Sequence, residues 1–160
     1  MKKAEVGFSL IELLVVVAII LIIAAIAIPN LLESRIAANQ AAAVADLHGI
    51  DASEVTYLTM YNVGYAASLP TLGPPAGNGL PTPAAANLID SYLANGVRNG
   101  YTFGYAAGSQ DTQGHYQTFS VHASPAAQGS TGHNFYFTDQ SDIIRVNTAV
   151  SASASDSPIG

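Results

Sequence analysis

The feature that most constrains this chain is a nearly unbroken apolar run close to its N-terminus. Residues 8–28 are mostly Val, Ile, Leu and Ala, and their single charged side chain is Glu12. As an α-helix, a run of this length spans about 30 Å, which matches the hydrocarbon core of a bilayer. Lys2 and Lys3 precede the run, and this order favours a cytoplasmic N-terminus. The sequence therefore predicts a membrane anchor.

A secretory signal peptide and a buried core helix are the two alternatives for this run. The apolar region of a signal peptide is usually about 7 to 15 residues long, which is shorter than residues 8–28. No clear small-x-small cleavage site follows the run before the helical pattern resumes. These two observations favour an anchor that stays in the protein.

The rest of the chain has a different composition, which separates a hydrophobic stem from a polar head. Beyond about Asn62 the sequence is rich in Gly, Pro, Ser, Thr, Asn and Tyr. Only 10% of all residues are charged and the formal net charge is -6, so no basic stripe for nucleic acid is expected. The chain contains no cysteine, which excludes disulfides and thiolate metal sites.

The start of the chain carries a specific motif: GFSLIE from Gly7 to Glu12, then the apolar run, then AIP ending at Pro29. Together these residues resemble the N-terminus of type IV pilins and of type II secretion pseudopilins. The resemblance implies that a prepilin peptidase cuts between Gly7 and Phe8 and methylates the new amino group of Phe8. Residues 1–7 are then a cleaved leader, and residues 8–29 form a transmembrane and filament-core helix.

Glu12 becomes the fifth residue of the chain after that cleavage. The resemblance implies that its carboxylate neutralises the amino group of Phe8 on a neighbouring subunit during assembly. An unpaired carboxylate in hydrocarbon costs roughly 2.5 kcal/mol or more, and an ammonium partner removes much of that penalty. The alternative is a carboxylate that reaches the membrane interface near a helix start, where it also compensates the helix dipole.

Pro29 is expected to kink the helix because it removes one backbone hydrogen bond. Many members of the resembled family carry a glycine seven or eight residues before this proline, whereas this chain has Leu21 and Ile22 there. Glycine weakens a helix by about 1 kcal/mol relative to alanine, so its absence makes this stem a better helix. Less unwinding is therefore expected on the N-terminal side of Pro29.

Residues 30–61 are predicted to continue the helix as an amphipathic spine for the head, which comprises residues 62–160. Its apolar face is assigned to Val44, Leu47, Val55 and Leu58, whose spacing keeps them near one side. In the head, the Pro- and Gly-rich residues 62–83 predict an irregular loop, and residues 84–94 a short helix. The tail, residues 151–160, is predicted to lie on the surface or to be mobile.

Four short alternating runs then predict strands. They cover residues 101–105, 116–123, 134–138 and 143–147. The predicted fold class is α+β and type IV pilin-like, with a long N-terminal helix packed against a small antiparallel sheet of about four strands.

Few residues of the head indicate a chemical site. Asp139 and Asp142 flank a tight turn and are candidate calcium ligands, although Asp more often serves as a turn former. The four histidines show no paired metal spacing, and no serine has a nucleophile context. They are His48, His115, His122 and His133. No catalytic residue and no cofactor are expected, and the chain is predicted not to be an enzyme.

The resulting hypothesis is a structural one: the major subunit of a type IV pilus-like filament, which polymerises with identical subunits. The resemblance implies a prepilin peptidase and an inner-membrane assembly machinery as partners. Before assembly the N-terminus is cytoplasmic and the head periplasmic, and after assembly the filament is extracellular. The alternative is a major pseudopilin of type II secretion, which the lack of cysteine favours and the long Gly/Pro loop does not.

Overall fold

The computed structural model describes residues 7–77 and 79–159. Residues 1–6 of the predicted leader, Asn78 and Gly160 lie outside the described residues. The chain divides into two compact units, Met1–Arg35 and Ile36–Gly160, and each is described here by itself.

The main helix, α1, runs from Leu10 to Tyr61 and contributes to both units. It remains helical through Pro29, where the side chain of the next residue, Asn30, donates to the carbonyl of Ile26 at 3.0 Å. At its C-terminal end the N–H of Asn62 donates to the carbonyl of Leu58, and Asn62 adopts a φ of 52°. Asn tolerates this left-handed conformation, which is a common way to end a helix.

The second unit contains a six-stranded antiparallel sheet in which each strand pairs with the next along the chain. Its strands are β1 (Val97–Arg98), β2 (Tyr101–Ala107), β3 (Phe119–Pro125), β4 (Phe135–Asp139), β5 (Arg145–Asn147) and β6 (Ser157–Pro158). The predicted fold class is confirmed, and the four predicted strands correspond to β2 to β5. The two additional strands have two residues each, which is too short to show an alternating pattern.

The longest pairing, between β2 and β3, runs in register from Tyr101 opposite Pro125 to Ala107 opposite Phe119. Alternate side chains of these strands point to one face, where Tyr101, Phe103 and Val121 are buried. They form one hydrophobic core with the buried face of α1. The sheet is therefore apolar on the side that faces the helix.

The connections differ from the prediction in detail. The segment predicted as an irregular loop contains a one-turn helix, α2 (Leu69–Leu72), whose start accommodates Pro70. Of the helix predicted over residues 84–94, only α3 (Ser91–Ala94) forms. The side chain of Asp90 caps α3 by accepting from the N–H groups of Tyr92 and Leu93, and this cap fixes where the helix begins.

The tail is tied to the sheet over its described residues. Strand β6 pairs with β5, and the N–H of Ile159 donates to the carbonyl of Ile144 at 2.9 Å. Ala152 is buried. The other described residues of the tail are exposed or partly exposed, which agrees with the predicted surface position, while the pairing with β5 fixes its C-terminal part.

The buried face of α1 is only partly the predicted one. Leu47 is fully buried, but Val55 is 59% exposed and Leu58 is 37% exposed, so the assignment of Val55 and Leu58 to the core face was wrong. The buried stripe instead passes through Asp51 and Glu54. Apolar spacing could not reveal this, because the positions are held by polar side chains that find partners in the head.

Glu54 is the most enclosed of these polar residues, with 0% exposure. Its Oε2 accepts from the N–H of Ala66 at 2.9 Å, and the hydroxyl of Tyr105 lies 2.7 Å from its Oε1. The same hydroxyl lies 2.7 Å from the carbonyl of Ala66. Burial raises the pKa of Glu54 above its usual range, although the two hydrogen bonds oppose this shift. Glu54 thus joins α1, β2 and the loop after α1.

Core burial predicts different effects for two substitutions on α1. Leu47→Ala should lower the free energy of unfolding by about 2 to 5 kcal/mol because it leaves a cavity at a fully buried position. Val55→Ala, at an exposed position, should change it by less than about 0.5 kcal/mol. Denaturant unfolding of the detergent-solubilised protein, followed by circular dichroism, measures both. Equal losses for the two variants would contradict the assigned face.

A second prediction concerns pH. Because the folded-state pKa of Glu54 is raised, its ionisation should reduce stability as pH rises from the unfolded-state pKa through the folded-state pKa. Glu54→Gln cannot ionise and keeps an oxygen for the N–H of Ala66, while its amide can donate to Tyr105. The stability of Glu54→Gln relative to wild type should therefore increase as the pH rises above the ordinary glutamate pKa of about 4.

Urea unfolding at a series of pH values gives this difference, and other titrating groups contribute equally to both proteins. Glu54→Ala is the matched comparison, because it leaves buried donors unsatisfied and should be destabilised at every pH. A difference between Glu54→Gln and wild type that stays constant with pH would refute the raised pKa.

Candidate functional site

The first candidate site is the apolar surface of the first unit. Its large apolar side chains from Phe8 to Leu32 are between 47% and 79% exposed. This part of α1 is long and apolar enough to cross a membrane, and none of its most apolar stretch is buried in the structure. An exposed apolar surface of this size is typical of a membrane-spanning segment or a protein interface.

Glu12 caps the helix on which it lies. The N–H of Ser9 donates to Oε2 of Glu12 at 3.1 Å, and the N–H of Glu12 donates to the carbonyl of Ser9, also at 3.1 Å. This is the acidic half of a capping box, which satisfies a backbone N–H at the helix start. An ionised carboxylate offers about four acceptor positions, so the cap leaves capacity for another donor.

Phe8 and Glu12 lie at one place on this surface. Both line a shallow, open depression together with Ile11, Val15 and Val16. The carboxylate of Glu12 is therefore surrounded almost entirely by apolar side chains. Gly7 precedes the helix and Pro29 lies within it, so the residues singled out in the first unit occupy its N-terminal end and its helical stem.

The turn between β4 and β5 separates the two calcium candidates. Oδ1 of Asp139 accepts from the N–H of Ser141 at 2.9 Å, and its carbonyl accepts from the N–H of Asp142 at 3.0 Å. Asp139 therefore acts as a turn former. Asp142, with a φ of 58°, is in the left-handed conformation that Asp tolerates better than most residues.

Asp142 instead belongs to a cluster with two residues of α1. An imidazole nitrogen of His48 and one carboxylate oxygen each of Asp51 and Asp142 lie within 4.8 Å of one another. We call these three residues the His48 cluster. The sequence contained one signal for it, since His48 and Asp51 are three positions apart and so share a face of α1. Asp142 is remote in sequence, and only the folded chain brings it there.

Asp51 is the buried member of the His48 cluster, with 3% exposure. Its Oδ2 accepts from the hydroxyl of Thr138 at 2.7 Å, whereas its Oδ1 is buried and has no hydrogen-bond partner among the described residues. Burial, together with the nearby carboxylates of Asp142 and Asp139, raises the pKa of Asp51 to about 7, although the hydrogen bond from Thr138 opposes this shift. A single negative charge at this position is thus unfavourable unless a proton or a cation compensates it.

Comparison with known proteins gives the N-terminal segment a specific match. The profile of the prokaryotic N-terminal methylation motif matches residues 5–28. Over 63 residues the chain is 46% identical to the type IV wide pilus major component PilA4 of Thermus thermophilus. That alignment covers 39% of this chain and 44% of the relative, so it spans less than half of the relative's length. No solved structure gives a significant match.

Proposed function

We propose that this chain, which carries the N-terminal methylation motif and is similar over its matched residues to a type IV pilin, is the major structural subunit of a type IV pilus-like extracellular filament. The observation that carries this proposal is the exposed apolar stem with one carboxylate near its start. Such a stem needs lipid around it before assembly and other stems around it afterwards. Its work is mechanical and requires no catalytic residue.

Processing comes first in this proposal. A prepilin peptidase removes residues 1–7 by cutting after Gly7 and methylates the amino group of Phe8. Glycine has no side chain, so the peptide backbone at the junction is open to the peptidase. The structure is consistent with this, since Gly7 precedes the first turn of α1 and a Cβ atom placed on it would have no neighbour within 4 Å.

Assembly then pairs charges between subunits. The amino group of Phe8 is a cation after cleavage, and Glu12 of a neighbouring subunit is the carboxylate available to it. The capping box fixes the direction of the Glu12 side chain through Ser9, so little further ordering is needed when the ammonium arrives. In apolar surroundings an isolated ammonium and an isolated carboxylate are both unfavourable, and pairing them offsets much of this cost.

Location follows from the same stem. Before assembly the stem spans the inner membrane with the N-terminus in the cytoplasm and the head in the periplasm, because Lys2 and Lys3 stay on the cytoplasmic side. An inner-membrane machinery extracts the subunit into the filament, and the head then forms the outer surface. A pseudopilin of type II secretion has the same stem and processing, but it forms a short periplasmic assembly.

The first prediction from this proposal concerns the cell surface. Sheared surface material should contain long filaments of this chain, with subunits that begin at Phe8 and carry one methyl group on the amine. Electron microscopy and intact-mass spectrometry measure the two properties. A methylated Phe8 terminus without surface filaments would support the pseudopilin alternative, and retention of Met1 in filaments would refute the cleavage.

The second prediction isolates the charge of Glu12 from its role as a cap. Glu12→Gln keeps an oxygen for the N–H of Ser9, and Gln is as suitable as Glu in a capping box. It cannot neutralise an ammonium, so filament yield should fall strongly while membrane insertion persists. Glu12→Asp should give an intermediate yield, because the charge remains but the side chain is one methylene shorter.

Filament yield after shearing, divided by the amount of subunit in the membrane fraction, is the measurement. Glu12→Ala removes charge and cap together and serves as the comparison. If Glu12→Gln assembles normally and only Glu12→Ala fails, the carboxylate acts as a helix cap and not as a partner of Phe8.

A further inference from the structure

We propose that His48, Asp51 and Asp142 bind a divalent transition-metal ion of the zinc class, and that this ion links α1 to the turn between β4 and β5. The His48 cluster lies entirely within the second unit, so this site is separate from the stem. It also differs from the calcium expectation, because one of its ligands is an imidazole and two of its three residues come from α1.

The geometry brings three suitable donor atoms together. One atom from each residue lies within 4.8 Å of the other two. In tetrahedral coordination with bonds of about 2.1 Å, ligand atoms are about 3.4 Å apart. A contraction of at most about 1.4 Å therefore completes the site. His48 and Asp142 are exposed side chains, and their rotamers can supply that movement.

Asp51 gives the strongest indication that a ligand belongs here. It is buried, and Thr138 engages its Oδ2 while its Oδ1 has no hydrogen-bond partner among the described residues. Buried carboxylate oxygens are normally satisfied by donors or coordinate metals. The hydroxyl of Thr138 orients the carboxylate in the way that outer-shell partners orient metal ligands. Oδ1 thus remains available to a cation.

The donor set selects the class of ion. Imidazole nitrogen together with carboxylate oxygen suits zinc and similar divalent transition metals. Calcium takes six to eight oxygen ligands, and magnesium keeps most of its water, so a site with one nitrogen and two carboxylates suits neither. The two carboxylates also balance the charge of a divalent cation. Water completes the coordination on the exposed side.

The ion would act as a structural cross-link. Asp51 and Asp142 are far apart in sequence, and the chain has no cysteine that could fix the β4–β5 turn to α1. Closing a long loop by a metal removes conformational freedom from the unfolded chain. Because the site is formed only in the folded state, binding should stabilise the head.

The experiment uses the full-length protein in detergent micelles after treatment with a chelator and dialysis. Isothermal titration with zinc chloride should show one site per chain, and saturating zinc should raise the thermal midpoint of the head. Calcium chloride and magnesium chloride at the same concentration should bind much more weakly. If the two carboxylates instead share a proton, zinc will neither bind nor change the midpoint, and the proposal fails.

Matched variants assign the binding to these residues. His48→Gln and Asp142→Asn should each weaken zinc binding by more than about tenfold, since loss of even an outer-shell partner can have that effect. Both positions are exposed, and Asn tolerates the positive φ of residue 142, so the fold should persist. Asp51→Asn should abolish the increase in midpoint on adding zinc.

Two control variants test alternatives within the head. Asp139→Asn removes a nearby charge but keeps the acceptor for Ser141, so zinc affinity should change only slightly. His115→Gln disrupts a different His–Asp pair, in which His115 Nδ1 lies 3.5 Å from Asp111 Oδ2, and it should leave binding intact. Zinc binding that survives in His48→Gln and Asp142→Asn, or that is lost in His115→Gln, would overturn the assignment.

Discussion

The packing of α1 against the sheet depends on partners for three carboxylates that the helix buries. Asp46, Asp51 and Glu54 all lie on the buried face, and burial raises the pKa of each. Their partners come from three different strands. Arg98 of β1 lies 3.2 Å from Asp46, Thr138 of β4 donates to Asp51, and Tyr105 of β2 contacts Glu54. Since hydrophobic contact is not directional, these pairs fix the position of the helix along the sheet.

The two units place carboxylates in opposite settings. In the second unit the protein itself supplies partners to Asp46, Asp51 and Glu54, although Oδ1 of Asp51 and Nε of Arg145 are buried without a hydrogen-bond partner among the described residues. In the first unit Glu12 has a backbone donor from Ser9 but an otherwise apolar surround. Oδ1 of Asp51 and the carboxylate of Glu12 are thus incompletely compensated, and the proposed metal ion and the proposed Phe8 ammonium would supply the missing positive charge.

The sequence predicted those elements of the fold that are long enough to show a periodic pattern of apolar residues. The stem, the end of α1 near Tyr61 and the four longer strands could be recognised because each contains enough residues to show a period. Strands β1 and β6 were missed, since two residues have no period. The burial of Glu54 and Asp51 was missed for a different reason. A carboxylate is buried only where partners exist, and those partners are Tyr105 and Thr138, more than fifty residues away in sequence.

In the candidate sites, too, local features could be predicted from the sequence and long-range contacts could not. The role of Glu12 could be proposed from the sequence because its motif is local, and the capping contact with Ser9 is local as well. Asp142 was proposed as a metal ligand from its position near a turn, but the sequence paired it with Asp139. The turn uses Asp139 for its own hydrogen bonds and leaves Asp142 for the helix. The role of Asp139 in the turn could thus be predicted from the sequence, whereas the proximity of Asp142 to His48 and Asp51 could not.

Apolar stems alone cannot define a filament with one arrangement of subunits. Leu, Ile and Val side chains bury similar areas in many relative positions of two helices, and lipid covers them equally well, so stem contacts favour association but hardly distinguish one axial position from the next. A buried charge pair does distinguish them, because a shift by one helical turn separates ammonium from carboxylate by about 5.4 Å in an apolar medium. In the proposed filament, Phe8 and Glu12 therefore select the axial position, and the apolar surface from Phe8 to Leu32 stabilises whatever position they select.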